Sequence, residues 1–307
     1  MNIIRISLLL VVLSVPWSNG AAASPNVVEL NLNVADRIEL SYIETREIKK
    51  WRYDEIERSI KLEIPVKCEI IPHKDKYTLK WEYGVAEITE LYDSASETVS
   101  KEILSQIQNI ASKFGTLEIG TDLNGLLVRV HNLSDIRRTI STQYEAIAKE
   151  MSDNDDAEKH LLLKAVTVVK NLSDEELNQA ILKDIQPYFQ FYGKVFGNRS
   201  LNINELNDPH PGYNKYKVRL VSEIETNNSD SDIRLTRYQT DILDEKGSER
   251  ELEKYEPVVT WLTKMVFDSS SNIIKTYEDT RNLTSQNKSL RGQVTRKLLL
   301  TPSGLAK

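Results

Sequence analysis

The alternation of apolar and polar residues between Ser59 and Ile71 is the clearest pattern in this sequence. The apolar members are Ile60, Leu62, Ile64, Val66, Cys68 and Ile70. Such alternation predicts a β-strand with one buried face and one face in water. Pro65 has no N–H to donate, so we expect this strand at a sheet edge or with a bulge at Pro65. Lys76–Tyr83 repeats the alternation and predicts another strand.

Similar patterns predict strands near both ends of the chain. They cover Val27–Asn33, Arg37–Trp51, Tyr216–Leu220, Ile233–Leu243 and Leu290–Leu300. Met265–Asp268 and Asn272–Glu278 predict a hairpin, because the polar run Ser269–Ser271 separates them. Asn202–Tyr213 is rich in asparagine and proline and predicts a long loop.

Asn124-Gly125 is the strongest short turn signal in the chain. Apolar residues alternate on both sides of it, as the two strands of a hairpin require. We therefore expect a type I′ turn, with positive φ at both central residues. Asn132, followed by Asp135, predicts the N-cap of a helix after this hairpin.

Apolar residues at helical spacing predict a helix over Ala95–Phe114 and a helical block over Leu133–Val195. Capping-box patterns predict where two helices begin, at Ser173 with Glu176 and at Ser248 with Glu251. The helix that begins near Ser248 is expected to run past Val266.

These elements predict an α+β fold with a long curved antiparallel sheet packed against helices and an inserted helical block. We expect one domain over residues 24–307. Its parts are a first β-rich half (24–132), the helical block (133–200) and a second β-rich half (201–307). The two halves share a plan, with Asp122–Gly125 corresponding to Asp268–Asn272, so an internal duplication is a hypothesis.

The N-terminal segment has the features of a signal peptide. A short start with one positive charge precedes the apolar run Ile6–Val15, and Ala21-Ala22-Ala23 fits a cleavage site. We expect cleavage near Ala23, which makes residues 1–23 a signal peptide and the mature protein periplasmic or extracellular. An uncleaved anchor is the alternative. No later segment is apolar enough to cross a membrane.

Composition narrows the classes of partner. The chain has 307 residues, of which 40% are apolar and 28% charged, and a net charge of −6. No basic stripe stands out, which argues against nucleic acid as a partner. Cys68 is the only cysteine, so no intrachain disulfide can form.

The sequence carries no recognisable catalytic, metal or cofactor motif. None of the four histidines has the spacing of a zinc site. The acidic run Asp153–Glu158 near His160 lacks the glycine and glutamate of a calcium loop, and a solvated helix connection is the favoured interpretation. We therefore expect a protein that is not an enzyme, with no catalytic residue, no metal and no cofactor.

Aromatic residues on the first strands give the one candidate ligand site. Trp51, Tyr77, Trp81 and Tyr83 could line an apolar cavity on a concave sheet face. The alternative is that they are core residues packed under the helices, and this alternative is the favoured one.

The chain resembles uncharacterised exported bacterial proteins. The resemblance rests on the leader, the strand–Asp-x-Asn-Gly–strand hairpin and Asn132–Arg138, with Tyr188–Gly193 and Tyr238–Asp241 in agreement. At the level of fold it is also similar to the lipoprotein-carrier half-barrels of the periplasm. The resemblance implies no catalytic residue.

We expect an exported, soluble, non-enzymatic protein that binds a partner or a lipophilic ligand in the cell envelope. An envelope protein with a structural or interaction role is the first alternative. A hydrolase with dispersed carboxylates is the second, and it requires at least two acids that converge in a cleft.

Overall fold

A computed structural model describes residues 27–93, 111–150, 156–197, 199–205, 217–226, 231–243, 258–284 and 290–302. Its strands are β1 Val28–Leu30, β2 Ile38–Arg52, β3 Glu55–Pro72, β4 Tyr77–Tyr83, β5 Glu87–Asp93, β6 Thr116–Thr121, β7 Leu127–Val130, β8 Lys194–Phe196, β9 Arg199–Glu205, β10 Lys217–Thr226, β11 Asp232–Leu243, β12 Val258–Asp268, β13 Ile274–Thr284 and β14 Leu290–Leu300. Its helices are α1 Leu133–Glu150, α2 Asp156–Asn171 and α3 Asp174–Phe189, with a short 3-10 helix at Ala111–Lys113.

Twelve of these strands form one antiparallel sheet. Its order is β7-β6-β4-β3-β2-β14-β13-β12-β11-β10-β9, and β5 pairs with β3 outside this path. β2 pairs with β14, so strands from both β-rich parts meet in the middle of the sheet. β1 and β8 form a separate two-stranded sheet. The predicted α+β fold, with a long antiparallel sheet and an inserted helical block, is confirmed.

The sheet curves around helix α3. The ring of Tyr188 on α3 lies 5.8 Å from the ring of Trp81 on β4 and 4.8 Å from the ring of Tyr277 on β13. These two strands are four steps apart in the sheet order. In a flat sheet, steps of about 4.8 Å would separate them by about 19 Å. One ring contacts both only because the sheet is concave towards α3.

Pro65 lies in a central strand, which corrects the prediction of an edge or a bulge. β3 pairs with β2 from Glu55 to Ile70, and Pro65 faces Ile43 in that register. On its other side, β3 pairs with β5 up to Glu63 and with β4 from Val66 onward. Pro65 falls in the gap between those two partners, where the missing N–H costs no ladder hydrogen bond.

Three segments differ from their predicted structure. The helix expected to run past Val266 is instead strand β12 from Val258 onward. The buried residues Trp261, Met265 and Phe267 lie on one face of this strand, as alternation requires. Strand β5 had no predicted counterpart, and β9 occupies part of the predicted loop 202–213. Most of the predicted helix 95–114 lies outside the described residues.

The Asn124-Gly125 hairpin forms, but its turn is not type I′. Gly125 has a φ of 99°, whereas Asn124 is not among the described residues with positive φ. Instead, one carboxylate oxygen of Asp122 accepts hydrogen bonds from the backbone N–H of Asn124 (3.0 Å) and of Leu126 (2.8 Å). Asn132 also departs from its predicted role, because its side chain bonds the backbone of Thr116 and Glu118 on β6 rather than capping α1.

The strand orders of the two halves count against the duplication hypothesis. The turn at Asp122 joins β6 to β7 at one edge of the sheet, whereas the turn at Asp268 joins β12 to β13 inside it. In addition, β3 pairs with both β4 and β5, an arrangement that the described strands of the second half do not repeat.

The Asp268 carboxylate organises the β12–β13 turn and is expected to contribute measurably to stability. It accepts hydrogen bonds from the backbone N–H of Ser270 (3.1 Å) and Ser271 (3.0 Å), and Lys275 lies 3.3 Å away. Burial alone raises the pKa of Asp268, but these donors together hold it below its ordinary value. Asp268→Asn should lower the free energy of unfolding by about 1–3 kcal/mol at neutral pH.

The pH dependence follows from that direction. A depressed folded-state pKa gives stability that is present above the unfolded value of about 3.9 and lost as the pH falls through the folded value. The difference between Asp268→Asn and the native chain should therefore shrink in acid, measured by urea unfolding across pH. Asp54→Asn, at an exposed turn, is the control and should change stability by less than about 0.5 kcal/mol. A difference that persists unchanged in acid contradicts the prediction.

Candidate ligand site on the concave face

The structure brings together three of the four aromatic residues predicted as ligand-binding. Tyr77, Trp81 and Tyr83 project from β4 into the concave face and are buried there. Trp51 lies apart, near the end of β2, with the guanidinium of Arg291 5.4 Å from its ring centroid. The four residues therefore do not form one surface.

Aromatic side chains of the sheet and of α3 fill the space beside Trp81. Its ring stacks on Tyr188 (5.8 Å between centroids) and on Tyr42 (6.4 Å), and meets Tyr83 and Phe189 edge to face (both 6.1 Å). Within the described residues this is the arrangement of a packed core, with α3 as the element that covers this half of the concave face.

Helix α3 is fixed at its start by local chemistry. The Ser173 hydroxyl accepts a hydrogen bond from the Glu176 N–H, and the Glu176 carboxylate accepts one from the Ser173 N–H, so the predicted capping box is confirmed. Asn178 on the first turns accepts a hydrogen bond from the N–H of Val130 on β7 (2.8 Å). The capping box therefore fixes where α3 begins, and the Asn178 contact ties its first turns to β7.

A charge-balanced ionic network joins α3 to the middle of the sheet. Glu44 is fully buried and accepts hydrogen bonds from Arg46 (2.6 Å) and Arg296 (2.7 Å). Asp184 on α3 accepts from Arg46 (2.8 Å) and from the Tyr83 hydroxyl (2.7 Å). Burial raises the pKa of Asp184, but Arg296, Arg46 and Tyr83 together hold it below its ordinary value. Two carboxylates thus face two guanidiniums.

A second group of charges on the same face has a positive excess when the described residues are counted. The guanidiniums of Arg237 and Arg281 lie 4.8 and 4.3 Å from the ring centroid of Trp261. Asp279 accepts hydrogen bonds from Trp261 Nε1 and, at 2.9 Å, from Arg281 Nε. Lys194 on β8 lies on the far side, 5.9 Å from the Phe191 ring that Arg237 also contacts. We call Lys194, Arg237 and Arg281 the cationic cluster.

Apolar side chains continue the concave face beyond the two charged groups. The strand register places Ile60, Ile48 and Val294 side by side on β3, β2 and β14. Ile48 is 40% exposed, and Ile60, Val294 and Leu283 on β13 are half-buried. We call these four residues the apolar patch. It lies on the side of the ionic network away from Trp81, where the aromatic residues of α3 do not reach.

The described residues offer no metal site and no spanning helix. No group of three or more His, Cys, Asp or Glu within them is placed to hold a metal ion. The acidic run 153–158 lies outside the residues whose side chains are described. No helix in the described ranges combines the length and the apolar composition that a membrane crossing needs.

Several residues of this face were not predicted from the sequence. Glu44 and Arg46 could have been predicted, because they occupy inward positions of the alternation that Leu40 and Tyr42 begin on β2. A charge at an inward position signals a buried network or a site. Arg237 gave the same signal, because it follows Ile233 and Leu235 at an inward position of the alternation on β11. Its neighbours on β12, however, were predicted to be helical.

Comparison with known proteins adds little. No protein family and no curated protein matches the chain. A solved structure described as "lipid-protein interactions in lipovitellin" is similar over 86% of this chain and 25% of that chain, with a TM-score of 0.40 and 10% identity. This chain thus spans a quarter of that chain's length. A likeness of this size carries no argument about function, and the resemblance to exported bacterial proteins stays a prediction.

Proposed function

We propose that the protein binds an apolar or amphipathic ligand on the concave face, as a non-enzymatic protein exported to the cell envelope. One observation carries this proposal: α3 covers one half of the concave face, whereas the apolar patch in the other half stays partly exposed. The signal peptide predicted at residues 1–23 supports export. A shallow apolar surface inside a curved sheet suits an alkyl chain, because burial of its methylene groups is favourable at about 0.8 kcal/mol each.

The apolar patch can be tested with one substitution. Ile48→Asp places a carboxylate in the middle of the patch, where a bound alkyl chain would leave it desolvated and without a partner. The expected result is that the protein binds Nile red, a neutral apolar dye, and that Ile48→Asp weakens this binding by at least about tenfold. Fluorescence titration of the purified mature protein measures both affinities.

The matched control lies on the opposite face of the sheet. Leu299 on β14 is 54% exposed and points away from α3, since its neighbour Leu298 is buried in the core. Leu299→Asp should leave the affinity for Nile red unchanged. Equal loss in both variants, or no dye binding by the native chain, counts against the proposed function.

A further inference from the structure

Arg237 is a buried cation without an anionic partner in the described part of the chain. It is 5% exposed, and its one side-chain hydrogen bond is to the amide oxygen of Gln190, at 3.3 Å. Its Nε is buried and has no hydrogen-bond partner among the residues described. A buried charge of this kind costs stability unless a counter-charge reaches it. The Trp261 and Phe191 rings offset part of that cost through cation–π contacts, but they leave the charge without a counter-charge.

Within the ranges that the structure describes, the groups around Arg237 do not supply that counter-charge. Asp279 is the described acid beside Arg237, but its two oxygens already accept hydrogen bonds from Trp261, Thr263 and Arg281. Three positive charges of the cationic cluster thus share one described carboxylate, in a chain whose net charge is −6. A guanidinium that packs on an aromatic ring can still donate N–H groups to carboxylate or phosphate oxygens.

The cationic cluster is continuous with the apolar patch. Val294 pairs with Arg281, and Arg281 pairs with Trp261, in the same row of the sheet that contains Ile60 and Ile48. From Ile60 to Arg281 is three strand steps, or about 14 Å at about 4.8 Å each. One ligand can therefore lie across the strands with its chain on the patch and its head at the cluster.

We propose that the cationic cluster binds the negatively charged head group, a carboxylate or a phosphate, of an amphipathic ligand whose alkyl chain lies on the apolar patch. This inference rests on the proposed function and adds the ligand's charge. Arg237 supplies the unpaired guanidinium, Arg281 joins the head to the patch, and Lys194 closes the far side.

The test compares ligands that differ only in their heads. Dodecanoate, dodecyl phosphate and neutral dodecanol are titrated by calorimetry into the mature protein. Both anions should bind about 10- to 100-fold more tightly than dodecanol, the range of one charge-assisted hydrogen-bonded contact. A preference for one anion over the other distinguishes a carboxylate from a phosphate source.

Arg237→Met isolates the head-group contact. Methionine keeps an unbranched apolar stem against Trp261 and Phe191, and it removes a buried unpaired charge, so the variant should unfold at the same or a higher urea concentration. It should lose the preference for anions and keep the affinity for dodecanol. Arg234→Met, on the opposite face of β11, should behave like the native chain in every titration.

The outcomes separate this inference from the proposed function. If dodecanol binds and both anions bind no better, or if Arg237→Met retains the preference, the anion site is refuted while the apolar patch stands. If no dodecyl compound binds, the proposed function fails. A titration with inorganic phosphate then tests the anion site of the cationic cluster by itself. Phosphate binding that Arg237→Met abolishes supports the anion site, and absence of phosphate binding overturns it.

Discussion

Glu44→Gln should lower the free energy of unfolding by about 3–5 kcal/mol, the range for removing one partner from a buried ion pair. The Glu44 carboxylate has no exposed surface and receives N–H donors from Arg46 and Arg296 at 2.6 and 2.7 Å. A neutral amide leaves two guanidiniums to share the charge of Asp184, which lies 3.4 Å from Arg296. Arg46 retains some access to water, so a value near 3 kcal/mol is expected.

Urea unfolding followed by far-ultraviolet circular dichroism measures this effect, and the same strand provides the control. Glu47 lies on the opposite face of β2 and pairs with Lys49 at 2.6 Å near the surface. Glu47→Gln should cost less than about 1 kcal/mol. Equal unfolding midpoints for the two variants would show that the ionic network between α3 and the sheet contributes no more to stability than a surface ion pair.

Strand alternation explains why the sheet could be predicted from the sequence. A strand with one face against α3 must alternate apolar and polar residues. The sequence therefore predicts β2, β3, β4 and β14 residue by residue. The prediction was wrong at β12 because its sequence fits both patterns. Trp261, Met265 and Phe267 fit a period of two, whereas Leu262 and Val266 fit a helical repeat. Pairing with β11 and β13 decided between the two readings, and that pairing is long-range.

The charges of the candidate site depend on the same long-range pairing. Arg237 and Arg281 are far apart along the chain, and they meet at Trp261 only because β11, β12 and β13 are neighbours in register. Pro65 makes the same point for the fold: a residue that normally marks an edge is tolerated in a central strand because two partners leave a gap beside it. Local sequence carries neither fact.

Trp81→Ala should destabilise the protein by about 3–5 kcal/mol, the usual cost of deleting a large buried aromatic side chain. Trp81 is 1% exposed and contacts four aromatic rings, so truncation leaves a cavity that β4 and α3 cannot close. Its Nε1 is buried without a described partner. Trp81→Phe, which keeps the ring contacts and removes that unpaired N–H, should therefore cost clearly less than Trp81→Ala.

Trp51→Ala is the companion variant to Trp81→Ala. Together they test whether the aromatic residues of the first strands line a ligand site or belong to the core. Trp51 is partly exposed and contacts Arg291, so its truncation should cost less than about 1 kcal/mol. If urea unfolding gives a large loss for Trp81 and a small one for Trp51, Trp81 acts through the core that joins α3 to the sheet. If Trp81→Ala instead keeps its stability and loses Nile red binding, a ligand displaces α3 from the sheet. The bound ligand then lies beside β4 rather than on the apolar patch.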